Sequence, residues 1–397
     1  VESSSLEKST MRTKDLFRLA AGAALLCAGC APVEEPERQD SLATPVAKKT
    51  PVEVIQPRET NQDLNSRIEA ALRQVHRRNL QTDYSFWTVF HGILGMGLTA
   101  ELTDPDTGKR TNAIEYICNG GTIRGMEFIP QKDGLDVRTG PMFVGQGHQD
   151  QFVAELTQLG MPRDKKFVVN GKEYSFEDFI RYTKMRASVT GNQELSWAII
   201  VIGTYLGTDL KWTNAKGEKL RFEDMVRYEL NQPIHTAACG GTHRLFGLAW
   251  VYHLHLRKGG KKEGVWKDVA DKLAHFHRVA KQTRNPEGTF STKYLDGRAD
   301  GKDPQLKIST SGHVFEFLSL SLPDSELKKP WMQEAASALA QLILDNEGAS
   351  IESGALYHAA HGLHLYQDRV YGNLKSSDKN SPVPLLPPEE DTVAKSR

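Results

Sequence analysis

This chain has no excess charge of either sign: 50 Lys and Arg balance 50 Asp and Glu over 397 residues. A nucleic-acid partner, which a basic surplus would announce, is therefore not expected. Cysteine is scarce as well. Four occur, and Cys27 and Cys30 fall in the first forty residues, so Cys118 and Cys239 are too few for a disulfide framework. Aromatic residues make up 8%, short of what the lining of an isoprenoid cavity needs. Gly-rich phosphate loops, a Gly-x-Ser-x-Gly elbow, a nucleotide fingerprint and a His-Glu-x-x-His pair are all missing. The longest apolar stretch, Leu16 to Ala28, is too short to span a bilayer comfortably.

What is present begins with an address. Met11-Arg12-Thr13-Lys14 opens a basic segment, and residues 1–10 read as upstream translation. The apolar stretch ends Leu26-Cys27-Ala28-Gly29-Cys30, which resembles a bacterial lipoprotein signal. The resemblance implies lipidation at Cys30, with Cys27 standing where the motif usually has Leu. It implies an exported protein, periplasmic or at the cell surface, held to a membrane by a lipid anchor. Residues 1–30 are thus the signal segment. Residues 31–62, rich in Pro, Glu, Thr and Lys, read as a flexible tether. Residues 63–372 form the folded body, and 373–397, with Pro382, Pro384, Pro387 and Pro388, read as a disordered tail.

Within the body, helical periodicities come in pairs. The first member is amphipathic: Val265, Val269, Leu273 and Phe276 recur at helical spacing among Lys267, Asp268, Asp271 and Lys272. The second is apolar nearly all round, as in Ser196 through Ile202, and must be covered on every side. Outer helices are expected near 64–79, 110–118, 175–187, 220–230, 265–281 and 330–345. Inner helices are expected near 84–98, 148–159, 193–206, 242–257, 312–321 and 355–368. An internal repeat supports the pairing, since Gly171 through Tyr182 aligns with Gly217 through Tyr228, both carrying Phe-Glu-Asp and Arg-Tyr in step. Asn170-Gly171 predicts a tight hairpin turn. Trp197, Ile200, Phe246, Phe317 and Leu363 are the expected core between layers.

Six such pairs resemble the all-α (α/α)6 toroid of terpenoid cyclases, prenyltransferase subunits and several carbohydrate-active families, here with small β-hairpin insertions. Gln282 through Phe290 is similar to the Gln…Gly-x-aromatic brace of squalene-cyclase-type toroids, with Phe290 in place of Trp. The Asp-x-Asp-Asp cluster that carries cyclisation in that family is not found, so cyclase chemistry is not carried over.

Four times Gly closely precedes His where an apolar helix is expected to begin: Gly147-His148, Gly241-Thr242-His243, Gly312-His313, and Gly354 through His358. Parallel inner helices that start at one end would gather these residues at one mouth. The candidate site is His148, Asp150, Glu194, His243, Arg244, His313, Glu316, Tyr357 and His358, able to supply acids, bases or anion contacts. Positive helix ends and Arg244 would hold the imidazoles neutral. Arg124, Arg138, Arg298 and Lys307, in two long connections, would add to a positive field. Copying of Gly-His for packing alone is the competing explanation. Cys239, His243, His313 and His358 are donors that zinc accepts, but their spacing is no compact zinc signature, and no metal or other cofactor is assigned. Tyr252, His253 and His255 read as core, His275 and His277 as solvated.

Three functions remain open on these residues. One is a binding pocket or scaffold surface on an exported lipoprotein. Another is a lyase or hydrolase acting on an anionic saccharide. The last is an isoprenoid-related protein.

Overall fold

The computed structural model describes residues 60–140, 144–372, 374 and 381–386. The expected lipidation site at Cys30 and nearly all of the expected tether lie outside these residues. Among the described residues the fold is mostly α, with thirteen α-helices and a few small β-hairpins. No described helix is long and apolar enough to cross a membrane.

One set of helices is amphipathic: α1 (Asn61–His76), α3 (Ala113–Cys118), α5 (Phe176–Arg186), α7 (Phe222–Asn231), α9 (Val265–Thr283) and α12 (Pro330–Leu344). In α9 the buried residues Val265, Val269, Leu273, Phe276 and Ala280 form one stripe. The other set is apolar on all sides: α2 (Phe86–Met96), α4 (Gln151–Gln158), α6 (Ser196–Leu206), α8 (Thr242–Arg257), α10 (Pro304–Ser321) and α13 (Ser353–Val370). In α8 every residue from Thr242 to Leu254 is buried, the polar His243, Arg244 and His253 among them. A short α11 (Asp324–Leu327) stands between α10 and α12.

The apolar helices touch in a cyclic order: α2 on α4, α4 on α6, α6 on α8, α8 on α10, α10 on α13, and α13 on α2. The amphipathic helices lie against them, α5 on α6, α7 on α6 and α8, α9 on α8, α12 on α10 and α13, and α1 on α13. Trp197, Ile200, Phe246, Phe317 and Leu363 are all buried.

The internal repeat has a structural counterpart. Strands β1 (Lys166–Val169) and β2 (Lys172–Ser175) form a hairpin leading into α5, and β3 (Lys211–Thr213) and β4 (Lys219–Arg221) form one leading into α7. Asn170 and Gly171 both have positive φ, 51° and 73°, the pairing a two-residue type I′ turn demands. Phe176 and Phe222 are fully buried first residues of their helices. Asp178 and Asp224 fold back to accept the N–H groups of Ser175 (2.7 Å) and Arg221 (2.8 Å), fixing the start of each helix at the same point.

Four expectations need correction. Helix α10 begins at Pro304, not near 312: Asp303 caps it by accepting the Gln305 N–H at 3.0 Å, and proline suits the first turn. Gly312 sits mid-helix, where a Cβ would lie 2.7 Å from Cβ of Ala359; it permits close packing of α10 on α13 rather than a turn. His277 is not solvated; its Nε2 lies 2.7 Å from Ser321 Oγ, and the ring packs 5.4 Å from Phe317. Residues 381–386, read as part of a disordered tail, pack on the body. Leu385 is buried, Arg257 donates to the Ser381 carbonyl at 2.9 Å, and His253 donates to the Pro384 carbonyl at 3.0 Å.

Candidate functional site

The structure brings His148, His243, His313 and His358 together. Ring centroids lie 5.5 Å apart for His148 and His243, 5.2 Å for His243 and His313, 5.1 Å for His243 and His358, and 4.4 Å for His313 and His358. They come from four different segments. His148 precedes α4, His243 is the second residue of α8, His313 lies midway along α10, and His358 lies in the second turn of α13. Helix starts therefore do not explain the convergence for the last two. The cyclic packing of the helices at this level does.

Carboxylates orient the imidazoles. His148 donates Nδ1–H to Glu194 Oε2 at 2.7 Å, and both side chains keep some exposure, 20% and 28%. His358 and His361 both donate through Nδ1 to Glu316, with closest distances of 2.9 and 2.6 Å. His313 instead donates Nδ1–H to the Ser309 carbonyl one turn earlier, at 2.7 Å. Each of these bonds fixes a tautomer and turns the opposite nitrogen toward the cluster as an acceptor.

His91, on α2, also belongs to the group, 5.3 Å from His358 between ring centroids. It donates Nδ1–H to the Trp87 carbonyl at 2.8 Å, and its Nε2 lies 3.7 Å from Glu155 Oε1. Gln151 donates to both, at 3.1 Å to His91 Nε2 and 3.0 Å to Glu155. Neither His91, Glu155 nor Gln151 was singled out from the sequence. The available signal was the one that exposed Glu316, a polar side chain within an apolar helix; Glu194, expected inside the inner helix near 193–206, instead precedes α6.

Electrostatics divide the cluster in two. At the exposed side, burial pulls the His148 pKa down, but the hydrogen bond and charge of Glu194 outweigh it and leave it raised. Burial pushes Glu194 up, yet His148 and Arg244 bring it below the usual carboxylate range. This is an ion pair. Deeper in, burial first, and then the neighbouring imidazoles, push His243 and His91 well below the ordinary histidine value. Burial carries His313 to about 3. Burial, the largest cause, thus favours the neutral form for His243 and His313, while His148 departs from that expectation. Burial pushes Glu316 up, but His358 and His361 overcome it and hold it low; Glu155, buried without a cation, is raised well above the ordinary value.

Three of the named candidates serve elsewhere. Arg244 is held by Glu229, which accepts its Nε–H at 2.7 Å, and by the Pro233 carbonyl at 2.7 Å. Asp150 caps α4 in a left-handed conformation and is bound by Arg186 and by Thr183 Oγ1 at 3.0 Å. Tyr357 packs against α2, where a Cβ on Gly95 would lie 2.8 Å from its ring. Two of the four cations expected to form a positive field are held in ion pairs. Arg138 pairs with Glu127 at 3.0 Å, Lys307 with Glu287 at 2.9 Å, and Arg298 donates to the Gln282 carbonyl at 2.5 Å.

The approach to this cluster is built from strained backbone. Cys239, Gly240 and Gly241, just ahead of α8, have φ of 50°, 60° and 76° in succession. Gly241 admits no side chain, since a Cβ would lie 2.6 Å from the Ile234 carbonyl oxygen. Tyr294, itself at φ 56°, covers Gly240, whose Cβ would meet it at 2.4 Å. Non-glycine residues held in this region cost about 1–3 kcal/mol each and persist where the surroundings impose them.

No family model matches the chain, and neither curated proteins nor solved structures give a significant match.

Proposed function

We propose that the body is an (α/α)6 toroid on an exported, lipid-anchored protein, and that it binds a small polar ligand at the His148 side of the histidine cluster, where His148 and Glu194 transfer a proton. The cyclic contact order of the apolar helices supports the ring, and their all-round burial supports their place inside it. The Ala28-Gly29-Cys30 sequence supports the anchor. A lipid mass on Cys30 in the mature protein is its test.

The observation that carries the functional reading is the His148–Glu194 pair. It is a carboxylate-oriented imidazole that keeps partial exposure at the rim of a buried polar cluster. With Nδ1–H held by Glu194, Nε2 is the proton-exchanging atom, the arrangement general acid–base catalysis uses. The reaction class that fits is hydrolysis or elimination. A neutral hydroxyl-bearing ligand suits the site better than the anionic saccharide that is one of the three readings of the sequence, because Arg244, a candidate anion contact, is bound to Glu229. Half-buried Trp87 and Tyr294 border the cluster, packed on His91 and His313 respectively.

The test is a panel of neutral and uronate-containing oligosaccharides, read for new reducing ends and for unsaturated products. The expected result is turnover of a neutral member by wild type and its loss in His148→Ala and Glu194→Gln, with unfolding midpoints retained. Turnover unchanged in both variants, or loss that follows unfolding, overturns the reading.

A further inference from the structure

We infer that Cys239, His243 and His313 bind one transition-metal ion of the zinc type, leaving a coordination position open on the side of His148. One donor atom from each residue lies within 4.8 Å of the others. A tetrahedral site with bonds of about 2.0–2.3 Å needs donors closer by roughly an ångström, a movement within reach of side-chain rotation.

The strongest argument is His243. Its ring is buried, and neither nitrogen has a hydrogen-bond partner. Burying an imidazole with both nitrogens unmatched costs stability that packing alone does not explain. A metal ion in contact with one nitrogen removes the larger part of that cost, the unmatched lone pair. His313 is already prepared, because its Nδ1–H is fixed on the Ser309 carbonyl, so Nε2 carries the lone pair. Such an outer bond is the usual companion of a metal-binding histidine. Cys239 supplies the third donor from a left-handed backbone flanked by two positive-φ glycines, a conformation a cysteine seldom adopts without cause. Burial pushes its thiol up to about 12, so the metal-free residue is neutral; on binding, the S–H proton is released and the thiolate becomes the ligand.

A second grouping, His91, Glu155 and His358, has comparable spacing. It is the poorer site because the Gln151 amide already donates to both His91 Nε2 and Glu155. Cys, His and His with one position open is the pattern of a catalytic rather than a structural zinc centre. At the open position the ion would lower the pKa of a water molecule, and the neutral form of His148, reached once the ion pair with Glu194 loses its proton, would accept the water's proton. That role of the water rests on the acid–base reading of His148 and Glu194; the three donors do not.

The full-length protein, freed of metal by chelation, is titrated with Co2+ and with Zn2+. The expected result is one ion per chain, a thiolate-to-cobalt charge-transfer band, and release of a proton in weak buffer. Cys239→Ser should remove the band, and His243→Ala should remove stoichiometric binding while far-ultraviolet circular dichroism stays that of wild type. Zn2+ should raise the unfolding midpoint of wild type and not of His243→Ala. His148→Ala should bind the metal as wild type does. The inference is overturned by lack of stoichiometric binding, by binding that survives both Cys239→Ser and His243→Ala, or by binding lost in His91→Ala with Cys239→Ser unaffected. Metal bound normally by a chain in which His148→Ala leaves turnover unchanged would sink the acid–base reading alone. Turnover that needs His148 in a chain that binds no metal would sink the metal site alone.

Discussion

Glu229 and Arg244 form a buried ion pair at 2.7 Å, with side-chain exposures of 0% and 9%. The carboxylate also accepts the Leu195 N–H at 2.7 Å and the Ser196 hydroxyl at 2.8 Å, so one residue of α7 caps the start of α6 and ties down α8. Arg244 is therefore a strut of the fold and not an anion contact.

Glu229→Ala leaves the Arg244 charge buried and the start of α6 uncapped. Breaking such a pair from one side costs about 3–5 kcal/mol. Urea unfolding should show a loss of that size, and Arg244→Met should cost less, because no unpaired cation remains. Equal stability of wild type and Glu229→Ala would show that the pair carries no structural load.

Gly312→Ala should destabilise by about 1–3 kcal/mol, because the added methyl would meet Ala359 at 2.7 Å and force α10 from α13. Ala359→Gly in the same chain should restore part of the loss, and a double-mutant cycle measures the coupling. Gly171→Ala is the control. Nothing lies near its Cβ, so only the φ of +73° opposes it, at about 1–2 kcal/mol, and no second-site change should rescue it.

Acid should weaken the protein through histidines outside the cluster. Burial lowers His253 to about 3, and His277 and His364 to about 4, against an ordinary value of 6.5. Below 6.5 the unfolded chain takes up protons that the folded chain refuses, so stability falls as pH drops from about 6.5 toward 4. Each site contributes a slope of up to about 1.4 kcal/mol per pH unit. Urea unfolding at pH 7.5 and pH 5 should show this loss, and His277→Gln should reduce the slope by about one proton. A slope unchanged in that variant would mean that His277 titrates alike in both states.

Most of the helices were legible because their signals are local. The stripe of Val265, Val269, Leu273 and Phe276 and the unbroken apolar run after Ser196 mark an amphipathic and a covered helix wherever they occur. Asn170-Gly171 names its own turn, and Asp178 and Asp224 cap the starts of their helices from the third helical position. The start of α10 was misread because Gly312 resembles a boundary. Its reason for being glycine is Ala359, 47 residues away, and no local pattern carries that.

The histidines follow the same division. Sequence alone determined that His148, His243, His313 and His358 are polar exceptions near or within apolar helices, since a polar residue in such a setting demands a partner. It could not determine the partners. Glu194 belongs to His148, Glu316 to His358 and His361, and Glu229 to Arg244 because helices distant in the chain meet side by side. His91 carries the same signal, a polar residue in an apolar helix, but its place in the cluster is set only when α2 packs against α13. Helix type follows from short-range spacing, but which imidazole is oriented, which is left unpartnered and which is charged depends on burial and on neighbours that only the tertiary structure supplies.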